Sequence, residues 1–303
     1  MSATIAPTDR AVDLTRDFVR AKRPCADGFR WFLRRYGDGG DYQELLDALV
    51  ADGRINDACW LLDQFGPTDA VLVLDRLDAD ALVFAGSVEV RGGIEAAGLL
   101  RAGRDIRAGG GARVGKAVVA GGDLRIAGSL HCAGSIEAHG DIRADWGVEA
   151  DGDIVGHGDV RAGWELRSGG ALTVAGNAVA GRDVVVAGAI RCGKRLRAGG
   201  DIVGGEDIRA EQGIDAGGAI DCARHLETGW GIRAGAAIVA AGAIRAGESL
   251  CAGDEIRAGA GYGIFAGLGV RADDWESSAQ VRARLRPQGL MSGCWAGAGA
   301  PAP

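Results

Sequence analysis

From Leu82 onward the apolar positions recur every sixth residue. Stepping by six from Leu82 to Leu268 visits 32 positions, of which 29 are Ile, Leu or Val; the exceptions are Ala112, Ala178 and Tyr262. Two residues after each aliphatic, from Ala96 to Ala258, stands an almost always small residue, such as Ala102, Ala108, Cys132, Ala138, Gly156, Ser168, Cys192 or Thr228. The residues between and beside them are polar or charged. Alternation with a period of two predicts a short strand in each hexad, with two inward side chains. The next two positions are rich in Gly, as in Gly109-Gly110, Gly169-Gly170 and Gly199-Gly200. Gly reaches positive φ without steric cost, so a tight corner is expected there. Each hexad is one side and one corner of a coil.

The outward residues set the number of sides. Trp146 and Trp164 are 18 residues apart, as are His139 and His157. Four Asp-aliphatic-Arg triplets follow the same spacing: Asp105/Arg107, Asp123/Arg125, Asp141/Arg143 and Asp159/Arg161. A lap of 18 residues is three hexads, which predicts a mainly β fold: a three-sided β-helix (β-solenoid) of roughly ten coils. Stacked about 4.8 Å apart, the triplets form an Asp column beside an Arg column. Repulsion within each column is expected to be offset by its neighbour.

Outside the repeat the pattern changes. Residues 1–70 read as a small N-terminal α-helical domain, with helices expected over 8–23, 27–36, 41–52 and 56–66. Asp27, Asp41 and Asn56 are the candidate N-caps. Phe29, Trp31, Phe32, Tyr36, Tyr42, Trp60 and Phe65 are the expected core of this domain, which is placed to cap one end of the coil. The solenoid is assigned to 71–272, with 71–81 as its entry strand. Residues 273–303 form a C-terminal cap and tail, with Tyr262, Phe265 and Trp275 expected to close the prism and 296–303 to be flexible.

Composition narrows the class. Gly supplies 53 of 303 residues, yet not every third one, which excludes collagen. The formal charge is −7, without the basic excess of a nucleic-acid binder. Seven cysteines with no CxxC pair indicate neither a disulfide framework nor a zinc knuckle. There is no apolar signal core and no membrane-length apolar run, so a cytoplasmic protein is expected.

The candidate chemistry is sparse. Gly110-x4-Gly115-Lys116 has the outline of a phosphate loop, but Ala117 stands where Ser or Thr should hold magnesium, and Val118 is in hexad register. It reads as two corners. His139 and His157 are expected to stack within about 5 Å. Asp145 and Asp151 fall on the other two corners, so no third ligand converges and no metal is expected. Cys132, Cys192 and Cys222 occupy inward positions and read as small apolar residues, whereas Cys251 points outward. Two tryptophans at one corner are costly to leave in water. Trp146 and Trp164, with Arg107, Arg125, Arg143, Arg161 and Asp105, Asp123, Asp141, Asp159, therefore make up the candidate interaction face. Trp230 lies at a different corner.

Hexads of this kind occur in two known groups. In the left-handed hexapeptide-repeat acyltransferases the small inward residue precedes the aliphatic, and a loop interrupting the frame carries catalytic groups. Here the order is reversed, as in Ile142-Arg143-Ala144-Asp145, and the frame runs on uninterrupted. The I-x-A/G hexads resemble the bactofilins, polymer-forming bacterial scaffold proteins. That resemblance implies a right-handed coil and self-assembly. The segments CADGFRWFLRRYG and RINDACWLLDQFGPTD, with GWGIRAG-type hexads, are similar to uncharacterised bacterial proteins. The expected role is a non-enzymatic scaffold or protein-interaction module without cofactor, whose partner is a protein or a second copy. The alternatives are an immunity or inhibitor protein that binds a toxin or enzyme, and an acyltransferase with a cleft between subunits built from His139, His157 or His225.

Overall fold

In a computed structural model the chain is described over residues 4–6 and 13–298. The repeat forms a three-faced parallel β-solenoid. Its first face has 14 strands, its second 11 and its third 12. Face one includes Ile106–Ala108, Leu124–Ile126, Ile142–Ala144 and Val160–Ala162. Face two includes Leu130–Cys132 and Val148–Ala150, and face three includes Ser135–Ala138 and Ile154–Gly156. The register advances by the predicted lap: Ile142, Arg143 and Ala144 pair with Val160, Arg161 and Ala162. At about 4.8 Å per strand the third face spans roughly 50 Å.

One unbroken core runs down the axis. The frame aliphatics are almost all fully buried, and the small partners Ala108, Cys132, Ala144 and Ala162 lie beside them. Each such aliphatic contributes about 1.5–3 kcal/mol of transfer free energy. The rare inward polar groups are satisfied by backbone. Ser168 Oγ donates to the carbonyls of Gly152 and Ala171 at 2.8 and 3.2 Å. Cys192 Sγ reaches the equivalent carbonyls of Gly176 and Arg195, both at 3.2 Å.

The corner glycines have a different cause from the one expected. From Gly86 to residue 260 no described glycine has positive φ. What Gly provides is close approach between coils. A Cβ on Gly109 would lie 2.1 Å from the carbonyl oxygen of Arg91 in the preceding coil. The corner chain therefore packs backbone on backbone, with bonds such as Gly109 N–H to Val90 O at 2.8 Å.

The frame ends earlier than the six-residue walk. Tyr262 and Leu268 are exposed, not inward. After Ile256–Arg257 the next strand is Ile264–Phe265, which pairs with Ile244 and Arg245, so two residues have been inserted. Face one then resumes at Gln280–Arg282, beside Leu250 and Cys251. Ile264, Ala266, Val281 and Ala283 fill the interior there, and Trp295 packs against it. Trp275 is half-buried, with its indole nitrogen against Gly267. Residues 299–303 of the expected tail lie outside the described residues.

At the other end stand α1 (Arg16–Ala21), α2 (Ala26–Tyr36), α3 (Tyr42–Ala51) and α4 (Ile55–Phe65). The helix expected over 8–23 is shorter, because Asp13–Thr15 pairs as a strand with Gly39–Asp41; residues 8–12 lie outside the described residues. Asp41 caps α3 as expected, its carboxylate accepting from Gln43 and Glu44 N–H. Cys25, not Asp27, caps α2 through Sγ. The residue before α4 is Arg54, with no side-chain cap bond, so Asn56 is not its cap. Trp31, Phe32 and Tyr42 are buried; Phe29, Tyr36, Trp60 and Phe65 pack at the margin.

The helices lie against the terminal strand of face three, Leu82–Phe84, whose Val83 is buried in the helical core. Gln43 substitutes for a missing neighbouring strand. Its amide donates to Val83 O at 3.2 Å and accepts from Ala85 N–H at 2.9 Å. Thr4–Ala6 covers the first edge of face one by pairing antiparallel with Val71–Val73. The expected entry strand 71–81 is two strands, Val71–Leu74 and Leu77–Ala79, on different faces. Among the described residues, no helix is long and apolar enough to cross a membrane.

Candidate functional site

Face one carries four arginines in adjacent registers, Arg107, Arg125, Arg143 and Arg161. Period-two alternation points each outward between two buried residues. Face two instead varies its outward residues, with Arg113, His131, Glu149 and Arg167 in sequence. The four arginines line a shallow groove of about 620 Å³, with Asp141, Asp145 and Asp159 at its margins.

The aspartates do more than neutralise the arginines. Asp105, Asp123 and Asp141 each accept, through Oδ1, the backbone N–H of the Asp in the next coil, at 2.9, 2.9 and 2.8 Å. Asp159 continues the ladder to Asn177 N–H at 2.8 Å. The outer oxygen is left for Arg. Asp105 pairs with Arg107 at 2.7 Å, Asp123 with Arg125 at 2.7 Å and Asp159 with Arg161 at 3.0 Å. Arg143 departs from the expected triplet: it turns across the strand to Asp145 at 3.3 Å. The Asn177 backbone N–H, with Arg161 beyond it, holds the Asp159 carboxyl below the usual range. Exposed pairs of this kind add little stability each, so most of the ordering comes from the backbone bonds.

The ladder explains the Gly that precedes many of these aspartates. A Cβ on Gly122, Gly140 or Gly158 would stand 2.1–2.2 Å from Oδ1 of Asp105, Asp123 or Asp141. Asp183 and Asp201 repeat the arrangement beneath Gly200 and Gly218. The Gly-Asp-aliphatic signature is thus a contact between coils. Its trace in the sequence is the recurrence of Gly one position ahead of Asp at the 18-residue spacing.

Trp146 and Trp164 stand at the corner between faces one and two, directly after Asp145 and Gly163. The Trp164 N–H donates to Trp146 O at 3.1 Å. The two residues are 64% and 49% exposed. Arg182, at the same corner one coil on, lies over the Trp164 ring at 4.8 Å. Exposure of the groove arginines is greatest beside them, 62% at Arg143 and 58% at Arg161 against 43% at Arg107. Tryptophans and arginines therefore form one continuous surface, bounded on its far side by the Asp ladder. Trp230 is exposed at another corner.

The remaining candidates fall elsewhere. Gly110 and Gly115-Lys116 are corners around the strand Ala112–Val114, and Val118 is buried, so the loop is part of the coil. Burial pushes the Cys132, Cys192 and Cys222 thiols up, as suits inward apolar residues. Cys251 is outward and half-buried. His139 and His157 stack at 5.0 Å, and Glu137 joins them, a residue the corner spacing did not single out. In the helical region an apolar cleft of about 190 Å³ lies among Val19, Phe29, Phe32 and Leu49, with Cys25 at its lining.

Residues 5–65 match the family described as the YdhT N-terminal domain. The match covers the helical region and none of the solenoid. No curated protein and no solved structure matches the chain.

Proposed function

We propose that this protein is a non-catalytic interaction rod whose binding surface is the arginine groove of face one together with the Trp146–Trp164 corner. The observation that carries this reading is the juxtaposition of two half-exposed or more exposed tryptophans with the most exposed arginines of the row. Trp and Arg are the residue types most enriched among binding hot spots. A repetitive parallel scaffold holds them rigidly, which reduces the ordering cost of association. The four arginines stay 43–62% exposed beside their Asp partners, so their outer N–H groups favour a partner offering carboxylates in addition to apolar area. The likeness of the hexads to bactofilins, and the uninterrupted run from Leu82 to Ile256, support a scaffold over an acyltransferase.

The test is site-specific photo-crosslinking in the native cell extract. A crosslinker at Arg143 or Asp145 is expected to capture a defined partner that one at Trp230 does not. Trp146→Ala with Trp164→Ala should abolish capture and leave the far-UV circular dichroism unchanged. Equal capture from all three positions would remove the reading.

A second reading, end-to-end self-association, is favoured by the C-terminal end. Leu285 and Met291 are 71% and 70% exposed, and Leu290–Ser292 is the last strand of face three. That edge has no further strand among the described residues, and an unpaired edge with apolar neighbours is a template for pairing. Light scattering should show a concentration-dependent mass that Met291→Lys with Leu285→Lys eliminates. A constant monomer mass would end this version.

A further inference from the structure

We infer that Glu137, His139 and His157 form a binding site for a divalent transition cation of the zinc class at the corner between faces three and one. One ligand atom from each lies within 4.8 Å of the others. The coil geometry brings them together. His139 follows the strand Ser135–Ala138, and the 18-residue lap sets His157 directly upon it. Their rings are tilted by 55° with centroids 5.0 Å apart. Glu137 projects outward two residues before His139, and its carboxylate lies 3.6 Å from His139 Nε2.

Three further observations point to a ligand. The corner column that holds these histidines is built from Gly103 and Gly121 in the two coils before them and from Ala175 and Gly193 in the two coils after, with Glu211 the next large side chain, three coils beyond His157, so the two histidines stand as an isolated pair. Glu137 is flanked in register by Val119 and Val155. It therefore lacks the arginine neighbour that Glu89 has in Arg107 or Glu165 in Arg167. Finally, Asp141 and Asp159 follow His139 and His157 by two residues on the same corner, which favours a cation there.

Imidazole nitrogen with carboxylate oxygen is the donor set of zinc and its neighbours, not of calcium or magnesium. Ligand atoms about 2.0–2.2 Å from zinc lie roughly 3.3 Å apart in a tetrahedron. The site therefore requires the three side chains, which lie on an exposed corner, to rotate toward one another by about an ångström. Three protein donors leave a position for water or for a donor from a bound partner.

The test is titration of the full chain with Co²⁺, a spectroscopic stand-in for Zn²⁺, followed by competition with Zn²⁺. The expected result is one site per chain, with visible d–d bands and no thiolate charge-transfer band, displaced by Zn²⁺. His139→Ala and His157→Ala should each weaken binding by at least about tenfold, a loss that even groups one shell further from a metal produce. Glu137→Gln should weaken it in the same direction. Alanine is the native residue at 85 and 175 in this column, so these variants fold, and unchanged circular dichroism confirms it. His131→Ala and His225→Ala should bind as the wild type does. Absence of binding, a thiolate band, or indifference to the His139 and His157 substitutions would overturn the assignment.

Discussion

The contact between Gly200 and Asp183 lends itself to a double-mutant cycle. Asp183 Oδ1 accepts the Asp201 N–H at 2.8 Å. A Cβ on Gly200 would lie 2.1 Å from that oxygen, and its next backbone neighbour is 3.5 Å away. Ordinary contact needs more than 3 Å, so Gly200→Ala must displace the carboxylate and break its bond. A net hydrogen bond involving a charged group is worth about 1.5–3 kcal/mol, and half-exposure brings this corner to the low end. Local crowding adds about 1 kcal/mol, while the stiffer unfolded chain returns roughly 0.4–1 kcal/mol. Gly200→Ala alone should therefore cost about 1–2 kcal/mol, and Asp183→Ala alone about 1 kcal/mol. With Asp183 already removed, Gly200→Ala should be neutral or stabilising by up to about 1 kcal/mol. The coupling is then at least about 1 kcal/mol, well above the additivity error. Denaturant unfolding reports the global effect. Hydrogen exchange at the Asp201 amide reports the local one and does not depend on the solenoid unfolding in a single step. If Gly200→Ala costs the same in both backgrounds, the glycine serves the backbone and not the carboxylate, and the ladder argument fails.

Other outcomes follow from the same structure. The thiols of Cys132, Cys192 and Cys222 should resist alkylation in the native state and react on unfolding, whereas Cys25 should react at once; mass spectrometry after iodoacetamide treatment reads this. Cys192→Ser should keep stability within about 1 kcal/mol, because Ser168 already bonds the equivalent carbonyls, while Cys192→Leu should lose about 1–3 kcal/mol by overpacking. Gln43→Ala removes both bonds to the edge of Leu82–Phe84 and should cost about 1–3 kcal/mol, with faster exchange at the Ala85 amide. The lowered Asp159 carboxyl stabilises its corner above the ordinary carboxylate pKa of about 3.9. That contribution is lost as pH falls through the lowered value. Protection of the Asn177 amide should therefore be flat from neutral pH to about pH 5 and decline in acid, and Asp159→Asn should remove the decline.

Several features were legible in the residues alone. The lap length, the inward aliphatics from Val88 to Ile256, the Trp146–Trp164 corner and the arginine row all follow from counting. In a coil of constant lap, sequence separation and spatial neighbourhood are the same quantity. The helical start was visible in residues 27–66 for the ordinary reason of apolar periodicity. The tertiary structure alone decided what each neighbour does. Spacing placed Asp123 beneath Asp141 but did not say that its oxygen would take a backbone N–H, nor that Gly140 is there to leave it room. It placed Arg143 beside Asp141 and Asp145 alike, and the side-chain torsions selected Asp145. It stacked His139 on His157, and only the outward direction of the strand brought Glu137 to them. Beyond Ile256 counting stops working, because inserted residues are free to loop out while Ile264 and Val281 still satisfy the core. Periodicity specifies which backbones meet; hydrogen-bond choice and side-chain reach are settled only when three dimensions are present at once.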